Sequence, residues 1–391
     1  MKKAPIIVLT GGGSGGHITP LLSLAHALKK ASPGSWVVYI GQKGEKLSGN
    51  LKDRYRVFDT VYSVPAGKFR RYHGESLLSH LIDLRTLVLN ARDFFRAVAG
   101  IAYARKYLKR IKPDVVFSKG GFVAVPVGVA AATLKLPIVT HDSDAVPGLA
   151  NRIVGRYAVV HATGMPAGNY DYPRGGIHYT GIPLDERIKP VTPAMQKQFK
   201  KMLGLPADSL VLLVGGAGLG AGEVNKKILS IAGGLLEDFP GLQIIHFAGE
   251  QHVDQVKAGY ETALLSRKGR VRVLGFTDDF YKYTGAADLV ISRAGATTIA
   301  ELAAQKKPVI LIPAPHLTGG HQLRNAEQIQ KMRAGLLVSN DAPAGELLRV
   351  VTETLKKEPL RRQLADNLSH LAKPDAADSL ATLLLGVAGQ K

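Results

Sequence analysis

Ile6-Ile7-Val8-Leu9-Thr10-Gly11-Gly12-Gly13-Ser14-Gly15-Gly16-His17 decides how this chain is read. An apolar run of strand type ends in a glycine-rich turn, and a helix-type segment follows. Glycine lets backbone N–H groups come close to a diphosphate at a helix N-terminus. The pattern returns in the second half, where Leu210-Val211-Leu212-Leu213-Val214 runs into Gly215-Gly216-Ala217-Gly218-Leu219-Gly220. Two such units predict an α/β protein with two Rossmann-like, parallel-sheet domains.

Working outward, strand patterns fall at 6–10, 36–40, 115–117, 138–140 and 159–161, with helices at 19–30 and 125–134 and basic helical segments around 76–110. The alternation is βαβ, which implies parallel strands and right-handed crossovers. Charged, proline-bearing sequence around 183–193 reads as the linker. Strands at 211–214, 244–247, 271–274, 289–291, 309–312 and 336–337 follow, with helices at 297–305 and 321–331 and a mostly helical tail interrupted at Pro374. The expected domains are 1–186 and 187–374, with a C-terminal helix of about 375–391 packing back on the first.

The chain of 391 residues carries no cysteine, which excludes disulfides and thiolate metal sites. The opening apolar run is too short for a signal-peptide core, and the uncharged stretch from Gly120 to Leu134 is shorter than a membrane span. A soluble protein, or one attached to a membrane face, is expected. The net charge of +20 favours anionic partners. From Ala66 to Lys112, eleven Lys/Arg stand against three Asp/Glu, interleaved with Phe69, Leu77, Leu81, Phe94 and Phe95. That mixture fits a surface helix on an anionic membrane; the alternative is an amphipathic helix with a solvated basic face. A nucleic-acid groove would want basic residues with exposed aromatics rather than long aliphatics.

Gly11–Gly16 satisfies Gly-x-Gly-x-x-Gly, yet no acid closes the second strand, Trp36–Lys43, to hold a ribose, which argues against NAD. Phosphate contact or a purely structural turn remain. His17 closes the turn with the residue best suited to take a proton near neutral pH, although a histidine there can also simply cap or pack. Ser292-Arg293-Ala294-Gly295-Ala296-Thr297-Thr298-Ile299-Ala300-Glu301 offers a second anion site at a helix start. Glu301, one turn on, could accept both hydroxyls of a ribose or simply compensate the helix dipole. Asp142-Ser143-Asp144 formally matches a metal motif, but no metal is expected, because the glycine turns and helix ends already meet the anion. Gln322 and Asn325 share a helix face suited to sugar hydroxyls, a spacing also common on any polar face.

Together these motifs resemble the peptidoglycan N-acetylglucosaminyltransferase (MurG) family, in order and over nearly the whole chain. The residues carrying the resemblance are Thr10–Pro20, Ser118-Lys119-Gly120-Gly121-Phe122-Val123, His141-Asp142-Ser143-Asp144 with Pro147-Gly148-Leu149-Ala150-Asn151-Arg152, Gly215–Gly220, Phe276-Thr277-Asp278-Asp279, Ser292–Glu301 and His321–Ala326. The resemblance implies a GT-B architecture with two domains facing a cleft. It also implies inverting, cofactor-free transfer of N-acetylglucosamine from UDP-N-acetylglucosamine to the 4-hydroxyl of undecaprenyl-diphospho-MurNAc-pentapeptide, forming lipid II.

By matching position, Phe276 would lie at the uracil, Ala296, Thr297 and Thr298 at the diphosphate, Glu301 at the ribose and Gln322 at the sugar. Gly216, Ala217, Gly218, Arg293 and Asn325 belong to the same donor segments, while Ser14, Gly15, Gly16 and Asp144 would meet the transferred sugar. Gly13, Gly120, Gly121, Phe122, His141 and Asp142 are the implied acceptor residues, with His17 as base. Lys68, Phe69, Arg70 and Arg71 would form a membrane patch on the cytoplasmic face. The family usually has arginine at the position of Asp185, with Arg187 two residues on as a substitute. The resemblance admits contacts with other cell-wall synthesis or division proteins. Rival readings are transfer to another lipid such as a diacylglycerol, or UDP-sugar epimerisation.

Overall fold

Thirteen parallel strands form two sheets among the described residues. The computed structural model describes residues 4–12, 15–44, 55–67, 84–166, 170–173, 175–215, 221–263, 269–314 and 320–389. The chain divides into two compact units: unit 1 is Met1–Glu186 with Lys373–Lys391, and unit 2 is Arg187–Ala372.

In unit 1 the strands are β1 (Ile6–Thr10), β2 (Trp36–Gln42), β3 (Thr60–Val64), β4 (Val115–Ser118), β5 (Ile138–Asp142), β6 (Val160–Thr163) and β7 (Gly176–Tyr179), in spatial order β3-β2-β1-β4-β5-β6-β7. The helices are α1 (Gly15–Ala31), α2 (Leu84–Ile111), α3 (Ala124–Thr133) and α4 (Leu149–Val154). In unit 2 the strands are β8 (Val211–Val214), β9 (Gln243–Phe247), β10 (Val271–Leu274), β11 (Leu289–Ser292), β12 (Val309–Leu311) and β13 (Leu336–Leu337), in order β10-β9-β8-β11-β12-β13. Its helices are α5 (Pro193–Met202), α6 (Gly222–Asp238), α7 (Val253–Ala263), α8 (Phe280–Ala286), α9 (Ala296–Gln305), α10 (His321–Lys331), α11 (Ala344–Lys356) and α12 (Glu358–Ser369). The last helix, α13 (Ala376–Ala388), returns to unit 1 and packs on α1.

Strands buried on both faces explain the unbroken apolar runs in the sequence. Ile7, Leu9, Phe117 and Val139 meet Leu21, Leu24 and Leu28 of α1 in one core, which Leu380 and Leu384 of α13 complete. Each fully buried Leu or Ile contributes about 2 kcal/mol relative to exposure. On the other face of the sheet, Val8, Val38 and Val116 pack with Ala104 and Leu108 of α2 and Val127 of α3. Leu212, Ile244, Leu289 and Ile310 are the corresponding centre of unit 2.

Some sequence expectations need adjustment. The first helix starts four residues before the expected Thr19, because buried Ile18 adds an apolar position that outweighs the poor helix propensity of Gly15 and Gly16. Pro20 therefore lies inside it. Strand β5 runs to Asp142 rather than ending at Thr140, since His141 and Asp142 pair with Ala162 and Thr163 of β6. Strands β3 and β7 and helix α4 were not anticipated.

At the N-terminal ends of the unit 2 strands sits a buried polar hub. Asp288 accepts from Lys200 Nζ (2.7 Å), the Val211 amide (2.8 Å) and Gln196 Nε2 (2.9 Å). Beside it, Lys307 Nζ donates to the carbonyls of Gly285 (2.7 Å) and Ala287 (3.1 Å). Burial pulls the Lys307 ammonium down to about 7, with Asp288 opposing the shift and Lys200 reinforcing it. A neutral amine still carries two N–H donors, enough for the two carbonyls.

Candidate active site in two halves

The strand order of each sheet reverses direction once, between β1 and β4 and between β8 and β11. Open α/β sheets bind ligands at the carboxyl ends of the strands flanking such a reversal, where the two loops diverge. Both glycine-rich turns of the sequence leave strands at these two points.

In unit 2, β11 ends at Ser292 and α9 begins at Ala296, with Gly295 as its N-cap residue. The first turn of α9, from Ala296 to Thr298, presents its backbone N–H groups at this end. Ala296 and Thr298 are buried, whereas Thr297 and Glu301, one turn on, are half-buried. Arg293 does not stand free: its guanidinium donates to the Ile312 carbonyl (3.0 Å) and to Asn340 Oδ1 (2.7 Å), tying the loop after β11 to the next two strands. Burial lowers its pKa, and Glu223 acts against that. A recess lined by Gly215, Asn225, Phe247, Ser292 and Arg293 opens beside it. Gly215 has φ +136°, and a Cβ there would fall 2.6 Å from the Phe247 Cβ, so the second turn leaves β8 in a form that demands glycine.

Phe276 is half-exposed after β10, as an open stacking surface requires. In the same loop Asp279 pairs with Arg187 (3.3 Å) and Lys282 (2.7 Å), and Arg187 lies over the Tyr281 ring at 4.8 Å. Gln322 Oε1 accepts from the Ala314 amide (2.9 Å). Asn325 is fully buried and donates to the Ala294 carbonyl (3.0 Å), which makes it a brace between α10 and the β11 loop rather than an open amide on the face shared with Gln322.

In unit 1, α1 begins at Gly15, so the backbone of Gly15, Gly16 and His17 forms its first turn. Gly13 and Ser14, the side chain of His17, residues 216–218 and the expected patch at Lys68, Phe69, Arg70 and Arg71 lie outside the described residues. Gly120 and Gly121 follow β4 with φ of +87° and +79°. A Cβ on Gly121 would fall 2.2 Å from the Gly12 carbonyl oxygen, so the two turns are pressed together. Phe122 is half-buried beside them.

His141 and Asp142 are internal. His141 is fully buried, with Nε2 2.8 Å from the Gly181 carbonyl. Asp142 accepts from the Gly148 amide (3.0 Å), Asn151 Nδ2 (3.0 Å) and the Tyr172 hydroxyl. Burial raises its pKa against these donors and nearby Lys119. Its place at the end of a strand, rather than in a loop, is what seals it in. Tyr172 stacks on His161 at 3.6 Å, and Tyr170 donates to the Asp144 carbonyl (2.5 Å), so the β6–β7 connection clamps the turn after β5. Among the described residues no three His, Cys, Asp or Glu side chains gather as a metal site would require.

Lys119 stands within the Ser118–Val123 glycine motif, where the sequence alone assigns it no role. It is 2% exposed and donates to Ser143 Oγ at 2.6 Å. The local signal was a lysine followed by two glycines, which looks like an ordinary solvated loop. On α2, Phe94, Phe95 and Val98 are exposed, Phe95 by 70%, and Ala102 continues their face. Arg105, Lys106 and Lys109 extend that face by helical spacing.

The N-terminal domain model of glycosyltransferase family 28 matches residues 7–162, and its C-terminal domain model matches 210–380. A Symbiobacterium thermophilum protein named UDP-N-acetylglucosamine--N-acetylmuramyl-(pentapeptide) pyrophosphoryl-undecaprenol N-acetylglucosamine transferase is 31% identical over 390 residues, covering 98% of this chain and 96% of its own. The chain is a family 28 glycosyltransferase of the MurG group. The crystal structure of Acinetobacter baumannii MurG superposes on this family 28 chain with TM-score 0.72 at 24% identity, over 98% of this chain and 99% of that one. A Neisseria meningitidis UDP-GlcNAc 2-epimerase bound to UDP-GlcNAc shares the fold at TM-score 0.66 and 14% identity, over 97% of this chain and 100% of its own. The GT-B fold is thus common to transferases and epimerases, and the sequence match assigns this family 28 chain to the transferases.

Proposed function

We propose that this chain transfers N-acetylglucosamine from UDP-N-acetylglucosamine to the 4-hydroxyl of the muramoyl sugar of undecaprenyl-diphospho-MurNAc-pentapeptide, with inversion and without a resident metal. The observation that carries this reading is the match to a transferase of that name along almost its entire length.

Unit 2 takes the donor. The N–H groups opening α9, at Ala296, Thr297 and Thr298, meet the diphosphate as it gains charge in the transition state, and the helix dipole adds to them. Such preorganised donors need no reorganisation as the bond breaks. Glu301 accepts the ribose hydroxyls, Phe276 stacks on the uracil, and Gln322 contacts the sugar. Arg293 and Asn325 hold the loop that presents these groups, through Asn340, Ile312 and Ala294. Unit 1 takes the acceptor at the paired turns Gly11–Gly12 and Gly120–Gly121, and His17 removes the hydroxyl proton as the new bond forms.

The acceptor's lipid places the reaction at the cytoplasmic membrane face. No described helix is long and apolar enough to cross a membrane. The exposed α2 face, apolar at Phe94, Phe95 and Val98 and then basic, suits peripheral attachment to anionic lipid, where apolar insertion and charge attraction add.

The test is UDP release from UDP-N-acetylglucosamine, with and without a short-chain muramoylpentapeptide lipid, for wild type, H17A and E301A. Acceptor-dependent release lost in both variants is the expected result. Loss in E301A alone removes His17 as base. UDP binding without release overturns this acceptor, and then diacylglycerol and epimerase assays decide between the rivals.

A further inference from the structure

Lys119 is a buried cation in unit 1 that the proposed reaction does not use. It follows β4 where the strand order reverses, and its amide donates to the Thr10 carbonyl at 2.8 Å. A Cβ on Gly11 would fall 2.8 Å from the Lys119 Cβ, so its stem fills the space beside the first glycine turn. The ammonium reaches past both turns to Ser143 Oγ at 2.6 Å. Asp142 and Asp144 are near enough for their charges to favour the ammonium. Tyr170 holds the Asp144 carbonyl and Tyr172 holds the Asp142 carboxylate. The Ser143–Asp144 turn is therefore gripped from two elements, by one cation and one phenol, while the second phenol holds the strand end before it.

We propose that Lys119 is a positioning residue for sugar transfer: by its bond to Ser143 it fixes the turn that carries Asp144, and Asp144 recognises the hydroxyls of the transferred sugar. The inference rests on the proposed function and adds a residue to it. Lys119 is buried at its end of the bond to Ser143 Oγ, so water cannot replace the ammonium without opening the turn.

The experiment measures KM for UDP-N-acetylglucosamine, kcat and their pH dependence for wild type, K119M, K119R, S143A, D144N and the double variant K119M/D144N. K119M is expected to raise KM about tenfold with a smaller change in kcat, S143A to fall between K119M and wild type, and K119R to restore most of the loss. The double variant should be no worse than D144N, because both changes break one interaction chain.

The groups facing Lys119 are Asp142, Asp144, Tyr170 and Tyr172. Burial lowers the lysine to about 8 and holds both phenols above their ordinary range. Wild-type kcat/KM should therefore fall on the alkaline side near that value, and K119R, which stays charged, should lose this limb. Multiplying losses in K119M/D144N, or an unchanged alkaline limb in K119R, overturns the proposal. Where K119M does not fold, S143A and the K119R profile decide it. A wild type that transfers nothing to the lipid overturns the proposed reaction instead. The Lys119 inference is then decided by equilibrium binding of UDP-N-acetylglucosamine, which K119M should weaken about tenfold.

Discussion

Replacing Lys307 with methionine should flatten the pH dependence of stability between neutral and mildly alkaline solution. The side chain is 3% exposed, and burial lowers its pKa from 10.5 to about 7. The unfolded chain therefore binds this proton more tightly than the folded one, so stability rises as pH climbs from about 7 toward 10.5. Each pKa unit corresponds to about 1.4 kcal/mol, and integrating from pH 7 to 9 gives about 2 kcal/mol of added stability. For a unit of this size that is about 5 °C in Tm. Methionine keeps the apolar stem and cannot titrate. The assay is thermal unfolding of wild type and K307M across the window, taking the difference so that groups common to both cancel. The wild-type curve should gain about 2 kcal/mol relative to the variant as pH rises. Parallel curves would show that Lys307 stays charged in the fold, held by its two carbonyls, and would refute the burial argument.

Gly121→Ala must place a Cβ at φ +79°, 2.2 Å from the Gly12 oxygen. It should destabilise unit 1 by about 1–3 kcal/mol and, by parting the two turns, lower transfer more than stability; both are read on one preparation. Asn225→Leu leaves buried His246 Nε2 without the oxygen it meets at 3.0 Å, and the Ala248 carbonyl without the Asn225 amide. The expected loss is about 1–3 kcal/mol by chemical denaturation. Burial lowers His246 to about 4, so wild-type stability should decline as pH falls from about 6.5 toward that value. The double variant F94S/F95S should reduce sedimentation with anionic vesicles severalfold while leaving turnover of a short-chain acceptor in detergent unchanged.

The sequence made the interior strands plain because they are buried on both faces and so uniformly apolar. The edge strands hid. Thr60–Val64 alternates half-buried and exposed residues, and Gly176–Tyr179 buries almost nothing, so neither shows a continuous apolar run. The donor side was legible at Ala296–Glu301, where small residues and hydroxyls at a helix start follow a local rule. Asn325 and Asp142 were legible as polar residues but not as internal ones, since Asn325 pairs with Ala294, 31 positions away, and Asp142 is closed over by Tyr172, 30 positions away. Lys119 went unnoticed for the same reason: the serine it holds is 24 residues on, and its burial is created by turns from two other strands.

Helix α13 has a consequence for synthesis. Unit 1 is not contiguous: its core holds Leu380, Ala381 and Leu384, which follow the whole of Arg187–Ala372. A ribosome moving from the N-terminus therefore polymerises every residue of unit 2 before it reaches the last helix of unit 1. The earlier-made unit must wait with part of the apolar surface of α1 uncovered until that helix arrives. A released fragment ending at Ala372 should therefore show protease resistance in unit 2 and not in unit 1.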